Sequence, residues 1–301
     1  MSAMTWAIKA GEPAGAETMI EFLQALGNQD IPFLRYALFA GLLASVAFGI
    51  VGTYVVVRRI SYIAGAISHS VLGGIGLGLF LQKNVGLSWF HPMLGAVVAA
   101  VLSALVIGIV SLYARQREDT VIGAIWVVGM AAGLLFLAMV PGYNDPMSYL
   151  FGNILLITGS DIWLVAALDV LVVALGILFY SQLMAVCFDE EFTRTRGMRV
   201  DLYYILLLVL AALTVVLLVN VVGIVLVIAL LTLPAATAGL FSRRLWQMML
   251  FASLLCMLFI TSGLGVSYTL GLPTGPTIVI IAATVYLAIA LLRGKSKRVN
   301  V

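Results

Sequence analysis

Two ionisable side chains stand inside long apolar runs of the sequence: His69, in the stretch Ile67-Ser68-His69-Ser70, and Asp169, eight residues beyond Asp161. Inside hydrocarbon such a group costs several kcal/mol unless it meets a partner or water, so one that survives there is a functional candidate. Neutral imidazole suits zinc and several other first-row metals, which makes His69 a candidate ligand or gate for a divalent cation on a central pathway. The alternative is a neutral histidine hydrogen-bonded to a neighbouring helix. His69 shares a helical stripe with Gly65, Gly73 and Gly76, with Ser70, Gly74 and Gly78 beside it, and such a surface lets another helix approach closely. Asp169 needs a cavity or a partner, and either joins the same pathway or bonds a hydroxyl or carbonyl as a neutral acid.

Other chemistry is sparse. His91, Asp145 and Asp161 fall between apolar runs, with Asn144 and Asn153 nearby, and could form a cation-attracting vestibule or be merely solvated. Met130, Met139 and Met147 are scattered and read as packing rather than as copper ligands. Cys187 and Cys256 are too few and too far apart for a disulfide framework or a zinc-knuckle spacing. There is no GxxxxGK[ST] phosphate loop, and Gly73-Gly74-Ile75-Gly76 lies within an apolar run rather than at a strand-to-helix turn. The chain is therefore expected to bind no cofactor and to hydrolyse no ATP itself.

The elements that must hold these residues follow from composition. Of 301 residues, 63% are hydrophobic and only 10% charged, with net charge +3 and a mean hydropathy of +1.16. A water-soluble enzyme, a nucleic-acid binder and a disordered tail are excluded by that excess of apolar surface. A helix needs roughly 20 apolar residues to cross about 30 Å of hydrocarbon. Nine runs fit: 34–57, 61–82, 93–113, 120–140, 162–180, 202–220, 221–241, 246–264 and 275–292, or eight if 221–241 is re-entrant or broken. They lack period-two alternation, so the expectation is an all-α polytopic membrane protein rather than a barrel.

Thirteen of the sixteen basic residues fall on alternate ends of these runs: Arg58, Arg59, Arg115, Arg117, Arg194, Arg196, Arg199, Arg243, Arg244, Arg293, Lys295, Lys297 and Arg298. Lys9, Arg35 and Lys83 take the other ends. The positive-inside rule then predicts the N-terminus outside and the C-terminus in the cytoplasm. Residues 1–33 carry acids and no basic region before a cleavage site, so they read as a retained external or interfacial segment. Residues 34–293 form the transmembrane domain and 294–301 a basic cytoplasmic tail. Between two spans lies Asp189-Glu190-Glu191-Phe192-Thr193-Arg194-Thr195-Arg196-Gly197, too polar for lipid. Its acids lead, its arginines follow and glycine ends it, the pattern of a short helix with a C-terminal stop. Gly271-Leu272-Pro273-Thr274-Gly275-Pro276 predicts a turn before the final span.

Several blocks bring a family into view. Arg58-Arg59-Ile60-Ser61-Tyr62 followed by Ala66-Ile67-Ser68-His69-Ser70-Val71-Leu72-Gly73-Gly74 resembles the opening motif of the membrane permeases of bacterial ABC importers for zinc, manganese and iron. Phe151-Gly152-Asn153-Ile154-Leu155 with Ser160-Asp161-Ile162-Trp163 agrees with it. So do Val222-Gly223-Ile224-Val225-Leu226 running on to Pro234-Ala235-Ala236-Thr237-Ala238, and Leu272-Pro273-Thr274-Gly275-Pro276-Thr277. The resemblance implies a helical fold related to the vitamin B12 and siderophore permeases, set in the bacterial inner membrane. It implies two copies, homodimeric, around a central path, cytoplasmic ATP-binding subunits that use the ATP, and an extracytoplasmic metal-binding protein, with the divalent metal as transported substrate and no nucleic acid involved.

On the same resemblance, Asp189, Glu190, Glu191, Phe192, Thr193, Arg194 and Gly197 belong to the loop that couples to the ATPase. Many relatives read Gly-Asp-Ala-Leu-Ser-His where this chain has Ala64-Gly65-Ala66-Ile67-Ser68-His69, so the family's intramembrane aspartate is Gly65 here. Asp169 is the candidate replacement carboxylate. The alternative function is an ion-coupled secondary transporter with His69 and Asp169 as proton carriers; a conduit-free membrane scaffold is a third class. The charged loop at 189–197 favours the permease.

Overall fold

A computed structural model describes residues 32–87, 89–113, 118–142, 146–152 and 159–298, so the predicted external segment before residue 32 lies outside the described residues. All the described elements are helices. In chain order they are α1 (Pro32–Arg58), α2 (Ser61–Lys83), α3 (Pro92–Tyr113), α4 (Glu118–Met139), α5 (Pro146–Phe151), α6 (Gly159–Leu178), α7 (Tyr180–Phe188), α8 (Glu190–Thr195), α9 (Val200–Gly239), α10 (Leu245–Leu270) and α11 (Thr274–Arg298). Hydroxyls buried among them, including Ser45, Thr53, Ser68, Thr214, Thr237 and Ser253, bond carbonyls one turn back in their own helices. That satisfies them where no water competes.

The bundle has two halves. In one, α2 packs between α3 and α4; in the other, α1 packs against α6 and α10; α9 touches both. Helices α1 and α2 are among the most enclosed, whereas α4 and α11 leave most of their apolar surface open, as helices facing lipid do.

Helix α9 explains the predicted pair 202–220 and 221–241. Its start meets the last turn of α1, where the Arg58 guanidinium lies 5.6 Å from the Tyr204 ring centre. Its other end returns to the same turn, because Val56 and Val57 pack on the cluster of Ala235, Ala238, Met248 and Ala252. A straight helix of 40 residues would run about 60 Å, so both ends could not reach one turn of α1. The chain reverses at Gly223, whose φ of 80° and ψ of 164° interrupt the helix. Only glycine adopts that conformation readily, and a Cβ there would lie 2.5 Å from the Leu150 carbonyl oxygen of α5.

Among the described residues seven helices are long and apolar enough to cross a bilayer, or eight if the bent pair Ile162–Leu178 and Tyr180–Phe188 is one span. The count differs from nine at 221–241, where the limb Gly223–Gly239 is shorter than the rest because the reversal consumes its first turn. A second difference lies at 162–180. There the chain bends by 69° between α6 and α7, and the Tyr54 hydroxyl, on fully buried Tyr54 of α1, donates to the Gly176 carbonyl (3.1 Å) just before the bend. The turn before the last span is as the sequence predicts: α10 ends at Leu270, Gly271 takes φ 63°, and α11 begins at Thr274.

Candidate functional site: the His69 seam and the polar end

His69 sits on α2, whose small residues bring α4 close. Its ring stacks on Trp126 of α4 with centroids 4.7 Å apart and planes inclined by 21°. The imidazole Nδ1 is buried with no hydrogen-bond partner among the described residues. One turn earlier on α2, a Cβ at Gly65 would stand 3.1 and 3.3 Å from two carbons of the same indole and 4.0 Å from Ile228 Cδ1 of α9. The hydroxyls flanking His69 are engaged elsewhere: Ser68 donates to the Ala64 carbonyl (2.8 Å) and Ser70 to the Ile67 carbonyl (2.7 Å). Ser103 of α3 donates to Ser70 (2.7 Å).

Asp169 is buried on α6, its carboxyl beside the α1 backbone at Ala47, and its Oδ1 also lacks a partner among the described residues. The two candidates thus face different neighbours, His69 toward α4 and Asp169 toward α1. Among the described residues no three His, Cys, Asp or Glu side chains converge as a metal site. Of the vestibule candidates, exposed His91 accepts the Met93 amide through Nδ1 (3.3 Å) at the start of α3. Asp161 falls in the first turn of α6, and Asp145 lies outside the described residues. Both cysteines are buried and unbridged.

At the far end of α1 the residues 189–197 form a built element. Asp189 caps α8, its Oδ1 accepting the Phe192 amide (2.9 Å), and Thr193 donates to the Asp189 carbonyl (2.5 Å). Gly197 takes φ 77° after the last turn. Glu190 pairs with Arg58 at the end of α1 and with Arg194 (3.4 Å), while Arg194 also reaches Asp201 of α9 (2.8 Å). A cleft of about 370 Å³ opens here between Arg58, Ile60, Ser111, Glu190 and Tyr204. Phe188 and Phe192 stay 66% and 54% exposed, and Arg196 covers one face of Phe192 at 4.8 Å. Aromatic rings left open beside a charged helix outside the apolar spans make a surface suited to a protein partner.

Sequence reasoning missed Trp126 and the Arg58–Glu190 pair. Nothing in the spacing pairs Trp126 with Gly65, since that contact depends on which face of α4 meets α2. The pair joins residues 132 positions apart.

By architecture the chain is a multi-pass α-helical membrane protein. The profile of the ABC 3 transport family matches residues 30–293, and the chain belongs to that family. It is 44% identical over 250 residues to a probable metal transport system membrane protein of Chlamydia pneumoniae, covering 83% of this chain and 85% of that one. It is 32% identical over 278 residues to the manganese import system permease protein ScaB of Streptococcus parasanguinis, covering 92% and 96%. Among solved structures, that of PsaBC from Streptococcus pneumoniae in complex with Fab superposes with a TM-score of 0.80 at 30% identity, over 90% of this chain and 95% of that one.

Proposed function

We propose that this chain is the membrane-spanning permease subunit of an ATP-driven importer of divalent first-row metal ions. It performs no catalysis. ATP is used by separate cytoplasmic subunits, metal is delivered by an external binding protein, and two copies of the chain enclose the path. The polar end that carries Arg58, α8 and Arg194 faces the cytoplasm, which leaves the N-terminus outside and the C-terminus inside. His69 lines the path and Asp169 is a second candidate on it. Manganese comes from the likeness to the streptococcal permease; zinc suits the imidazole.

The observation that carries the reading is α8 itself: capped by Asp189, tied to α1 through Glu190 and Arg58, and presenting Phe192 outward. A partner that presses on such a helix moves α1 and, through the turn at Arg59 and Ile60, α2 with its His69. Glu191→Arg or Gly197→Pro is expected to lower the amount of ATP-binding subunit recovered with the permease while the permease itself stays in the membrane. Unchanged recovery with both variants refutes the docking role. For the cargo, cells with and without the gene are compared for manganese, zinc and iron content; equal content of all three refutes metal import.

A further inference from the structure

We infer that Trp126 sets the metal preference of the path at His69, by keeping oxygen donors away from the imidazole so that cations content with nitrogen ligands are favoured over manganese. The inference rests on the proposed role of His69 and adds to it the class of cargo. Its first support is spatial. The indole stacks on the His69 ring and also fills the volume a side chain at Gly65 would take, with the Gly65 Cβ position 3.1 Å from it. One residue therefore occupies both the face of the imidazole and the place, one turn away, from which α2 could offer a second ligand.

The second support is the chemistry of what remains. Ser68 and Ser70, which flank His69, direct their hydroxyl protons to their own helix. The Ile228 Cδ1 methyl of α9 stands 4.0 Å from the same Gly65 Cβ position. Asp169 faces α1 rather than α4. Thus, within one copy of the chain, His69 Nδ1 has no hydrogen-bond partner among the described residues, its ring lies against an indole, and the hydroxyls on either side of it are engaged with their own helix. Manganese(II) favours octahedral oxygen-rich coordination, whereas zinc accepts four ligands and readily takes imidazole. An indole face also attracts a cation without supplying an oxygen. Stacking limits rotation of the imidazole as well, so Trp126 is a positioning residue besides a filter.

The test is competitive uptake of labelled zinc and manganese by the whole importer, expressed with its ATPase and delivery protein in cells lacking their own importers for both metals. Trp126→Ala opens the volume beside Gly65 to water and is expected to shift the zinc-to-manganese uptake ratio toward manganese by about tenfold, equivalent to ~1.4 kcal/mol. Trp126→Phe keeps a stacked ring and is expected to hold the ratio near that of the unmodified chain. Gly65→Ser, made together with Trp126→Phe so that the serine has room beside the smaller ring, adds an oxygen at the same place from the α2 side; it is expected to shift the ratio in the same direction and serves where Trp126→Ala does not assemble. An unchanged ratio in Trp126→Ala or in Gly65→Ser with Trp126→Phe, or equal loss of both metals, overturns the inference. His69→Ala separates it from its premise: wild-type uptake in that variant removes His69 from the path, whereas lost uptake with an unmoved ratio in the Trp126 variants removes only the filter.

Discussion

Along the α2–α4 seam the helices meet backbone to backbone: a Cβ at Gly129 would stand 2.5 Å from the Ser70 Cα, and one at Gly133 would stand 2.7 Å from the Leu72 carbonyl carbon. At the polar end, α8 meets α1 and α9 through the long side chains of Arg58, Glu190, Arg194 and Asp201. The first contact draws on dispersion between atoms already at closest approach, so it tolerates no added volume and is indifferent to salt. The second draws on charge in partly hydrated surroundings, so it tolerates displacement and weakens as salt screens it. A transport subunit needs both kinds of joint. The seam keeps His69 and Trp126 in register, and under the proposed function the polar joint would let α8 be pushed without the bundle coming apart.

The largest break is predicted at the seam. Gly129→Leu forces α4 away from α2 and is expected to remove most of the monodisperse permease recovered in detergent, since overpacking a tight contact costs about 1–3 kcal/mol or more. Gly129→Ala, with one methyl group, should fall between that variant and the unmodified chain. Normal recovery of the leucine variant would mean that the seam is looser than its geometry.

Next in size is the Arg58–Glu190 pair, whose side chains are 23% and 31% exposed. Glu190→Ala leaves the guanidinium without its carboxylate and is expected to cost about 1.5–3 kcal/mol, the usual worth of a hydrogen bond to a charged group. The readout is metal uptake set against ATP hydrolysis by the complex: uptake falls while hydrolysis persists. Exchanging the charges, Arg58→Glu with Glu190→Arg, should restore much of the loss, and failure of the exchange would assign the effect to packing around the cleft instead.

A smaller effect is expected where α1 meets the bend between α6 and α7. Tyr54→Phe removes only the hydroxyl that bonds the Gly176 carbonyl, a change of about 1 kcal/mol. Hydrogen exchange should quicken at residues 176–183 and stay unchanged along α2. Equal quickening in both regions would show that α1 does not brace the bend in particular.

Much of this architecture is legible in the sequence, because bilayer thickness dictates helix length and the long apolar runs become helical, although α10 and α11 each continue six residues past their expected ends at 264 and 292. The short helix at 190–195 is legible too, since Asp189, the acids of the first turn and Gly197 are local signals that need no tertiary knowledge. The reversal at Gly223 is hidden, because a glycine amid Val, Ile and Leu reads the same whether the helix continues or turns back. The bend at Phe179 carries no proline or glycine at the break itself and depends on what α1 presents at Tyr54. At the candidate site, the apolar setting betrays His69, but its partner Trp126 and the separate surroundings of Asp169 follow from which helix faces meet. No spacing along one chain encodes that.

The smallest effect is expected at Arg194, and its size is what distinguishes the two joints. Its side chain is 59% exposed although it reaches both Glu190 and Asp201. Exposed pairs of this kind contribute about 0.2–1 kcal/mol, and fixing a long side chain offsets part of that gain. Arg194→Ala should therefore shift thermal stability only slightly, and the shift should shrink between low salt and about 0.5 M as the screening length falls well below 10 Å. Gly129→Ala, at the seam, should lose the same stability at either salt concentration. If the Arg194 effect proved as large as that of Glu190→Ala and independent of salt, α8 would be held as rigidly as the seam, and the contrast between a packed joint and a yielding one would fail at its polar end.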